Sequence, residues 1–404
     1  LGARDTLQKA VAAAPNYPMS HSALAEAWST LGYDAKATEE SRKAFELSTN
    51  LSRPDRLWIE AEYRLHNKEP QKAIDIYRSL FDVFPDNIEY GLSLANATRR
   101  HGRAKDSLSA VEALRRLAPP AGDDPRIDLA EAEASAVLAD FHREQQAAEK
   151  ARAKAEAQGS ILLVARAQME EGRAFEDLGE PRNSIPLFRE AKEKYSRVGD
   201  RGQVAQALLN LANQLEMGGD YGNAEHACEE SLAIRRAIGN QRGVAQSLNE
   251  IAIILRHEGA LPRAREILEE ARQINHERGD RQAESQVIGN MGNVMDDQGD
   301  IVSAKKAYED SLAISQDIGD RLGQAISLDN IGNELTALGQ TAEARKKYEE
   351  SRNMSIELGI KALTTDVDLV YGNLLFQTGD ISAARKKYDE ALPLAVKMLS
   401  LIHI

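Results

Sequence analysis

Residues 280–319 read DRQAESQVIGNMGNVMDDQGDIVSAKKAYEDSLAISQDIG, and residues 320–359 read DRLGQAISLDNIGNELTALGQTAEARKKYEESRNMSIELG. In register, Asp280 matches Asp320, Asn290 Asn330, Gly292 Gly332, Asn293 Asn333, Gly299 Gly339, Ala304 Ala344, Tyr308 Tyr348 and Gly319 Gly359. Self-similarity at a fixed period of this size marks a stack of small helical units, not one globular core. The punctuation runs well beyond these two copies. Gly159, Gly199, Gly239, Gly279, Gly319 and Gly359 form one series, and Gly179, Gly219, Gly259, Gly299, Gly339 and Gly379 interleave with it. Glycine after a helix takes the left-handed conformation that closes a C-terminus. Asp200, Asp220, Asp280, Asp300, Asp320 and Asp380 follow six of these glycines, and Asp is a good helix N-cap. Gly-Asp therefore stops one helix and starts the next, which predicts units of two antiparallel helices, A then B, each of about 15 residues.

The A helices carry an apolar stripe at i, i+3, i+4 and i+7, one helical face. It is Leu208, Leu211, Ala212 and Leu215 in one copy and Leu248, Ile251, Ala252 and Leu255 in the next. Ile288, Met291, Gly292 and Met295 follow, then Leu328, Ile331, Gly332 and Leu335. Each B helix repeats a small residue followed by a larger one: Ala224 and Cys228, Ala264 and Leu268, Ala304 and Tyr308, Ala344 and Tyr348, Ala384 and Tyr388. The small residue lets two helices approach closely, and the larger one fills the gap to the next unit.

This pattern resembles the tetratricopeptide repeat. Its period is longer than that repeat's usual one and is similar to the variant in kinesin light chains and G-protein-signalling modulators. The strings Asn290-Met291-Gly292-Asn293 and Asn330-Ile331-Gly332-Asn333 carry that likeness. Shorter periods precede, with Ala37, Ala73 and Ser107 in the small B-helix slot and Pro85 and Pro119 closing units. The resemblance implies an all-α, right-handed α-solenoid of about ten antiparallel helix pairs. Residues 1–120 are expected to hold units of the short kind, the first truncated near Pro15, and 121–398 units of the long kind. A bend is expected at Ala118–Pro125. Residues 399–404 leave the repeat, either as a translated sequencing artefact or as a native apolar end.

Composition narrows the function classes. The chain has 404 residues, a formal net charge of −13 and one cysteine, Cys228. An acidic surface repels phosphate backbones, so nucleic acid is not an expected partner. A lone cysteine permits no internal disulfide, which suits a cytoplasmic setting. No apolar run approaches the roughly 20 residues that span a bilayer. Leu1 opens the chain without a signal peptide, and further domains upstream are expected. The stretches PNYPMSHSALAEAWSTLGYDAKA, LSRPDRLWIEAEY and DDPRIDLAEAEA are similar to the C-terminal arrays of bacterial serine/threonine kinases and winged-helix regulators. The resemblance therefore implies an interaction scaffold or sensor arm of a larger signalling protein; a free-standing adaptor and a self-associating array are the alternatives, with a nucleic-acid-binding helical repeat, which the charge disfavours, behind them.

A second stripe on the A helices is rich in side-chain amides. It comprises Gln206, Asn210 and Asn213; Gln246, Asn249 and Arg256; Gln286, Asn290, Asn293 and Asp296; Asp329, Asn330 and Asn333; and Asn373. Arg166 and Arg173 extend it. In the resembled family this stripe lines a concave groove that holds a protein or peptide. Asn is a mediocre helix former, so its recurrence at one register asks for a reason. Two readings stay open: amides that satisfy the main chain of an extended peptide, or amides that bond a neighbouring helix and fix the repeat angle. Ile253 breaks the register.

No catalytic machinery, metal or cofactor is expected. The eight histidines are scattered, with no HExxH or CxxC spacing. His226 and Cys228 point to different sides of a helix, and Cys228 fills a core slot. Gly218-Gly219-Asp220-Tyr221-Gly222 sits between helices and lacks the lysine of a phosphate loop. The triplets Arg345-Lys346-Lys347 and Arg385-Lys386-Lys387 read as solvated outer faces, and Trp28 as core.

Overall fold

The Gly-Asp punctuation falls where helices end and begin in the computed structural model, which describes the backbone of residues 2–402 and the side chains of residues 3–392. The tail expected to leave the repeat, 399–404, lies outside the described side chains. No strand occurs among the described residues. Helix α1 (Gly2–Ala13) comes first and ten A–B pairs follow. The first four are α2 (Pro18–Thr30) with α3 (Asp34–Leu47), α4 (Arg53–His66) with α5 (Pro70–Val83), α6 (Ile88–Arg100) with α7 (Ala104–Arg115), and α8 (Pro125–Val137) with α9 (Phe141–Ala157). Then come α10 (Ile161–Asp177) with α11 (Pro181–Val198), α12 (Arg201–Met217) with α13 (Tyr221–Ile238), and α14 (Gln241–His257) with α15 (Leu261–Arg278). The last three are α16 (Arg281–Asp297) with α17 (Ile301–Asp317), α18 (Arg321–Ala337) with α19 (Thr341–Leu358), and α20 (Lys361–Gln377) with α21 (Ile381–Ile402). The array is an all-α solenoid, and it divides into two compact units, Leu1–Val244 and Ala245–Ile404.

Both signals read from the sequence act as their chemistry requires. All twelve glycines of the two series have φ between +67° and +83°. Each of the six aspartates after them accepts a bond from a backbone N–H of the following helix; Asp320 Oδ1, for instance, takes Gly323 N–H at 3.0 Å. Asn240 does the same for Gly243 N–H at 2.9 Å, where the repeat lacks an aspartate. In the earlier pairs two non-glycine residues occupy the left-handed turn, Lys68 at φ +58° and Ala139 at φ +55°.

The core is a seam between helices. Leu208, Leu248, Leu328, Ile331 and Leu335 are buried, with Ala224, Ala264, Ala304 and Ala344 opposite them. Trp28 is buried as expected. Gly172, Gly292, Gly332 and Gly372 admit aromatic rings: a Cβ on any of them would lie 2.5–2.7 Å from Phe188, Tyr308, Tyr348 or Tyr388, respectively. Ile288 and Met291 are only half-buried and line an open cavity of about 510 Å³ with Arg272 and Val302.

The first unit contains a long-range closure. Ile238, at the end of α13, is buried in one cluster with Leu24, Trp28, Leu31 and Ala37 of the first pair. Gln241 N–H donates to Leu31 C=O at 3.1 Å. Arg242 Nη2 donates to Asp34 at 2.9 Å.

Candidate functional site

Within each unit, A helices of successive pairs come into contact: α2 with α4, α6 with α8, α8 with α10 and α10 with α12 in the first, α16 with α18 and α18 with α20 in the second. B helices are bridged by long side chains, as Lys192 Nζ to Glu230 at 3.0 Å and Arg352 Nη2 to Glu390 at 2.8 Å. The closer approach on the A side makes it the inner face of each stack.

In the first unit this face is ionic. Glu133 joins Arg99 at 3.1 Å and Arg166 at 2.6 Å, and so ties together α6, α8 and α10. Burial pushes the Glu133 carboxyl up, but Arg166 and Arg99 outweigh it and hold the group below its ordinary range. Arg173 pairs with Glu170 one turn away. The two arginines expected to extend the stripe are thus both engaged. Gln206 and Asn210 are engaged too. Gln206 Nε2 donates to Asn210 Oδ1 at 2.9 Å, its Oε1 accepts from Arg235 Nη2 at 2.9 Å, and Asn210 is buried. Asn213 is half-buried.

In the second unit three residues of the stripe, Asn249, Asn290 and Asn293, are bonded to one another. Asn290 Nδ2 donates to Asn249 Oδ1 at 2.8 Å, which links α16 to α14, and Arg256 Nε meets Asp297 at 3.0 Å across the same helices. Tyr308 Oη donates to Asn293 Oδ1 at 2.7 Å, Tyr348 Oη to Asn333 Oδ1 at 2.8 Å and Tyr388 Oη to Asn373 Oδ1 at 2.8 Å. Asn293, Asn333 and Asn373 are therefore bound to helix B of their own pairs, whereas Asn213 of the same register faces a helix B that carries Cys228 in place of the tyrosine. Ile253 breaks it where helix B carries Leu268 in place of a tyrosine, so no hydroxyl needs an acceptor there. The co-occurrence of Asn with Tyr was the signal in the sequence that could have revealed the pairing. Because each Asn oxygen is taken, its NH2 group is what remains to offer. Asn293 Nδ2 reaches Asn290 Oδ1 at 3.3 Å. Gln246, Gln286, Asp296 and Asn373 are exposed; Asp329, Asn330 and Asn333 are half-buried.

Asp296 and Asp329 of the stripe are joined on this face by two carboxylates outside it, Glu334 and Asp366. Burial and the nearby Asp366 push Asp329 up to about 7. Burial and Asp296 push Glu334 up to about 7. Burial raises Asp366, and burial with Asp297 raises Asp296. Asp329 Oδ1 and Glu334 Oε2 are buried without a hydrogen-bond partner. Arg256 acts on Asp296, but no cation acts on Asp329, Glu334 or Asp366, so the cluster combines amide donors with carboxylates complementary to a positively charged group.

Three overlapping stretches, 203–277, 243–317 and 282–357, match the family profile of the tetratricopeptide repeat, and the chain carries those repeats across this stretch. Among solved structures, a Rap protein complexed with Competence and Sporulation Factor is similar at TM-score 0.61 and 13% identity, over 86% of this chain and 99% of that one. The apo form of RapI is similar at TM-score 0.56 and 13% identity, over 68% and 99%. A Signal Transduction ATPase with Numerous Domains, with a tetratricopeptide repeat sensor, from Pyrococcus horikoshii gives TM-score 0.58 at 13% identity, over 84% of this chain and 55% of that one. At such identity the likeness is one of fold. No curated protein matches the sequence.

Proposed function

We propose that this array of tetratricopeptide repeats is an interaction module that holds an extended, positively charged peptide on the inner face of residues 245–404, as the sensing arm of a larger signalling protein. The observation that carries the reading is the row of Asn NH2 groups, each fixed by a tyrosine, beside Asp296, Asp329 and Asp366. Peptide carbonyls accept from the amides, while a lysine, arginine or terminal ammonium faces the carboxylates. The ionic inner face of the first unit is already paired within itself and offers less. Two structural neighbours support the role by analogy of fold: one is complexed with a factor, and in the other the repeats are named a sensor.

The test is a binding screen of the full chain against an arrayed peptide library, followed by fluorescence anisotropy on the selected sequences. Enrichment of Lys- or Arg-bearing peptides is expected, with affinity rising as pH passes upward through about 7, where Asp329 ionises. Gln246→Ala with Gln286→Ala should weaken binding about tenfold, the loss of one or two hydrogen bonds, with the melting temperature unchanged, because both side chains are exposed. Asn333→Ala is a poorer probe, since it strips Tyr348 Oη of an acceptor. Selection of neutral or acidic peptides, or equal binding by the double variant, would overturn the reading.

A further inference from the structure

The inner face of the first pairs holds a cluster that the peptide reading does not use. Glu62 and His66 stand one turn apart near the end of α4, so both side chains leave the same side of the helix. Glu26 comes from α2, the A helix before it. One donor atom from each, two carboxylate oxygens and an imidazole nitrogen, lie within 4.8 Å of one another. All three line a cavity of about 560 Å³ whose walls include Trp58, Tyr77 and Asn96.

Packing does not require this arrangement. Tyr77 Oη donates to Glu62 Oε1, the counterpart of the Tyr–Asn bonds of the second unit. Asn293, Asn333 and Asn373 meet that need without a charge. At residue 62 a carboxylate takes the place of the amide and is set beside a second carboxylate. Arg100 lines the same cavity and attracts the Glu62 carboxylate from a distance, without an ion pair to Glu62 or Glu26. Two like charges held together without a bonded cation favour the entry of one.

We propose that Glu26, Glu62 and His66 form a three-ligand site for a divalent transition-metal ion of the zinc, cobalt or manganese class. A mixed set of two oxygens and one imidazole nitrogen suits these ions, whereas magnesium and calcium favour all-oxygen sets. Three protein ligands on one side leave positions open toward the cavity for water or a bound group. Tyr77 is a positioning residue here, since its hydroxyl orients the Glu62 carboxylate as outer-shell donors do at metal sites. The site stands on different residues from the peptide face, so either can fail alone.

The experiment uses the full chain, stripped with a chelator and titrated with Co²⁺ and then Zn²⁺ by calorimetry and visible absorption. One equivalent per chain is expected, with a raised melting temperature in the loaded protein. Glu26→Gln, at an exposed position, should weaken binding at least tenfold with the metal-free melting temperature unchanged. His66→Gln should remove the cobalt absorption, and Tyr77→Phe should weaken affinity about tenfold while keeping the absorption. No saturable one-to-one binding overturns the proposal. So does binding that persists undiminished in both Glu26→Gln and His66→Gln, because the ion then sits elsewhere.

Discussion

Gly332 shows what a single hydrogen atom decides in this array. A Cβ there would sit 2.6 Å from Cε1 of Tyr348, a buried ring whose hydroxyl is held by Asn333. The long pairs keep these positions consistent: Gly172 faces Phe188, and Gly292, Gly332 and Gly372 face Tyr308, Tyr348 and Tyr388. Alanine appears at Ala212 and Ala252, where helix B offers the smaller Cys228 and Leu268. Alanine is the better helix former by about 1 kcal/mol, but forcing a methyl into a packed seam costs about 1–3 kcal/mol. The clash should win. Gly332→Ala is therefore expected to destabilise the second unit, as read by chemical denaturation. The combination Gly332→Ala, Asn333→Ile and Tyr348→Leu copies Ala252, Ile253 and Leu268 and should recover most of the loss. A single variant as stable as the parent, or a triple variant no better than the single, would contradict this account of the seam.

At the scale of the helix pair, the turn between A and B sets the entry angle of the second helix, and its left-handed residue is the controlling point. Ala139 and Lys68 adopt φ of +55° and +58° where later pairs place glycine. An L-residue in this region costs about 1–2 kcal/mol, partly offset by the smaller entropy it loses on folding. Ala139→Gly is expected to stabilise the chain by about 0.5–1 kcal/mol, and Gly179→Ala to destabilise it by a similar amount. Equal midpoints for parent and Ala139→Gly in urea unfolding would show that the turn is unstrained. These two residues also mark the limit of what could be read in advance. The helix pairs were legible because caps and C-terminal glycines are local chemistry written within a few residues. Lys68 and Ala139 were not, because both are exposed residues whose type does not announce a left-handed turn, which is closed by the backbone bonds from Glu69 N–H to Arg64 C=O and from Asp140 N–H to Ser135 C=O. Among the candidate site residues, the stripe was legible as a helical face. The use of Asn293, Asn333 and Asn373 by tyrosines on the opposite helix was not, although Tyr308, Tyr348 and Tyr388 recur in step with them. Glu26 joins Glu62 and His66 only through the stacking of α2 on α4, which no spacing motif records.

For the molecule as a whole, a stack in which each pair touches only its neighbours should transmit a local loss of stability one pair at a time. The first unit departs from that rule. Ile238 is 7% exposed and packs with Leu24, Trp28 and Leu31, so α13 is also a neighbour of α2. The Arg242–Asp34 ion pair at the same place is half-exposed on both sides, which puts it in the class worth at most about 1 kcal/mol. Truncating a buried isoleucine costs about 2–5 kcal/mol. Burial of Ile238 therefore carries the closure, and the ion pair contributes little. Ile238→Ala should lower amide protection in α13 and, at the same time, in α2 and α3, while α6–α9 between them in sequence keep theirs. Arg242→Ala should leave all of these nearly unchanged. Hydrogen exchange with peptide-level resolution separates the outcomes. Loss confined to α12–α15 would mean that stability in the first unit spreads only along the stack. Coordinated loss at the first pair would mean that the two ends of that unit hold each other in place.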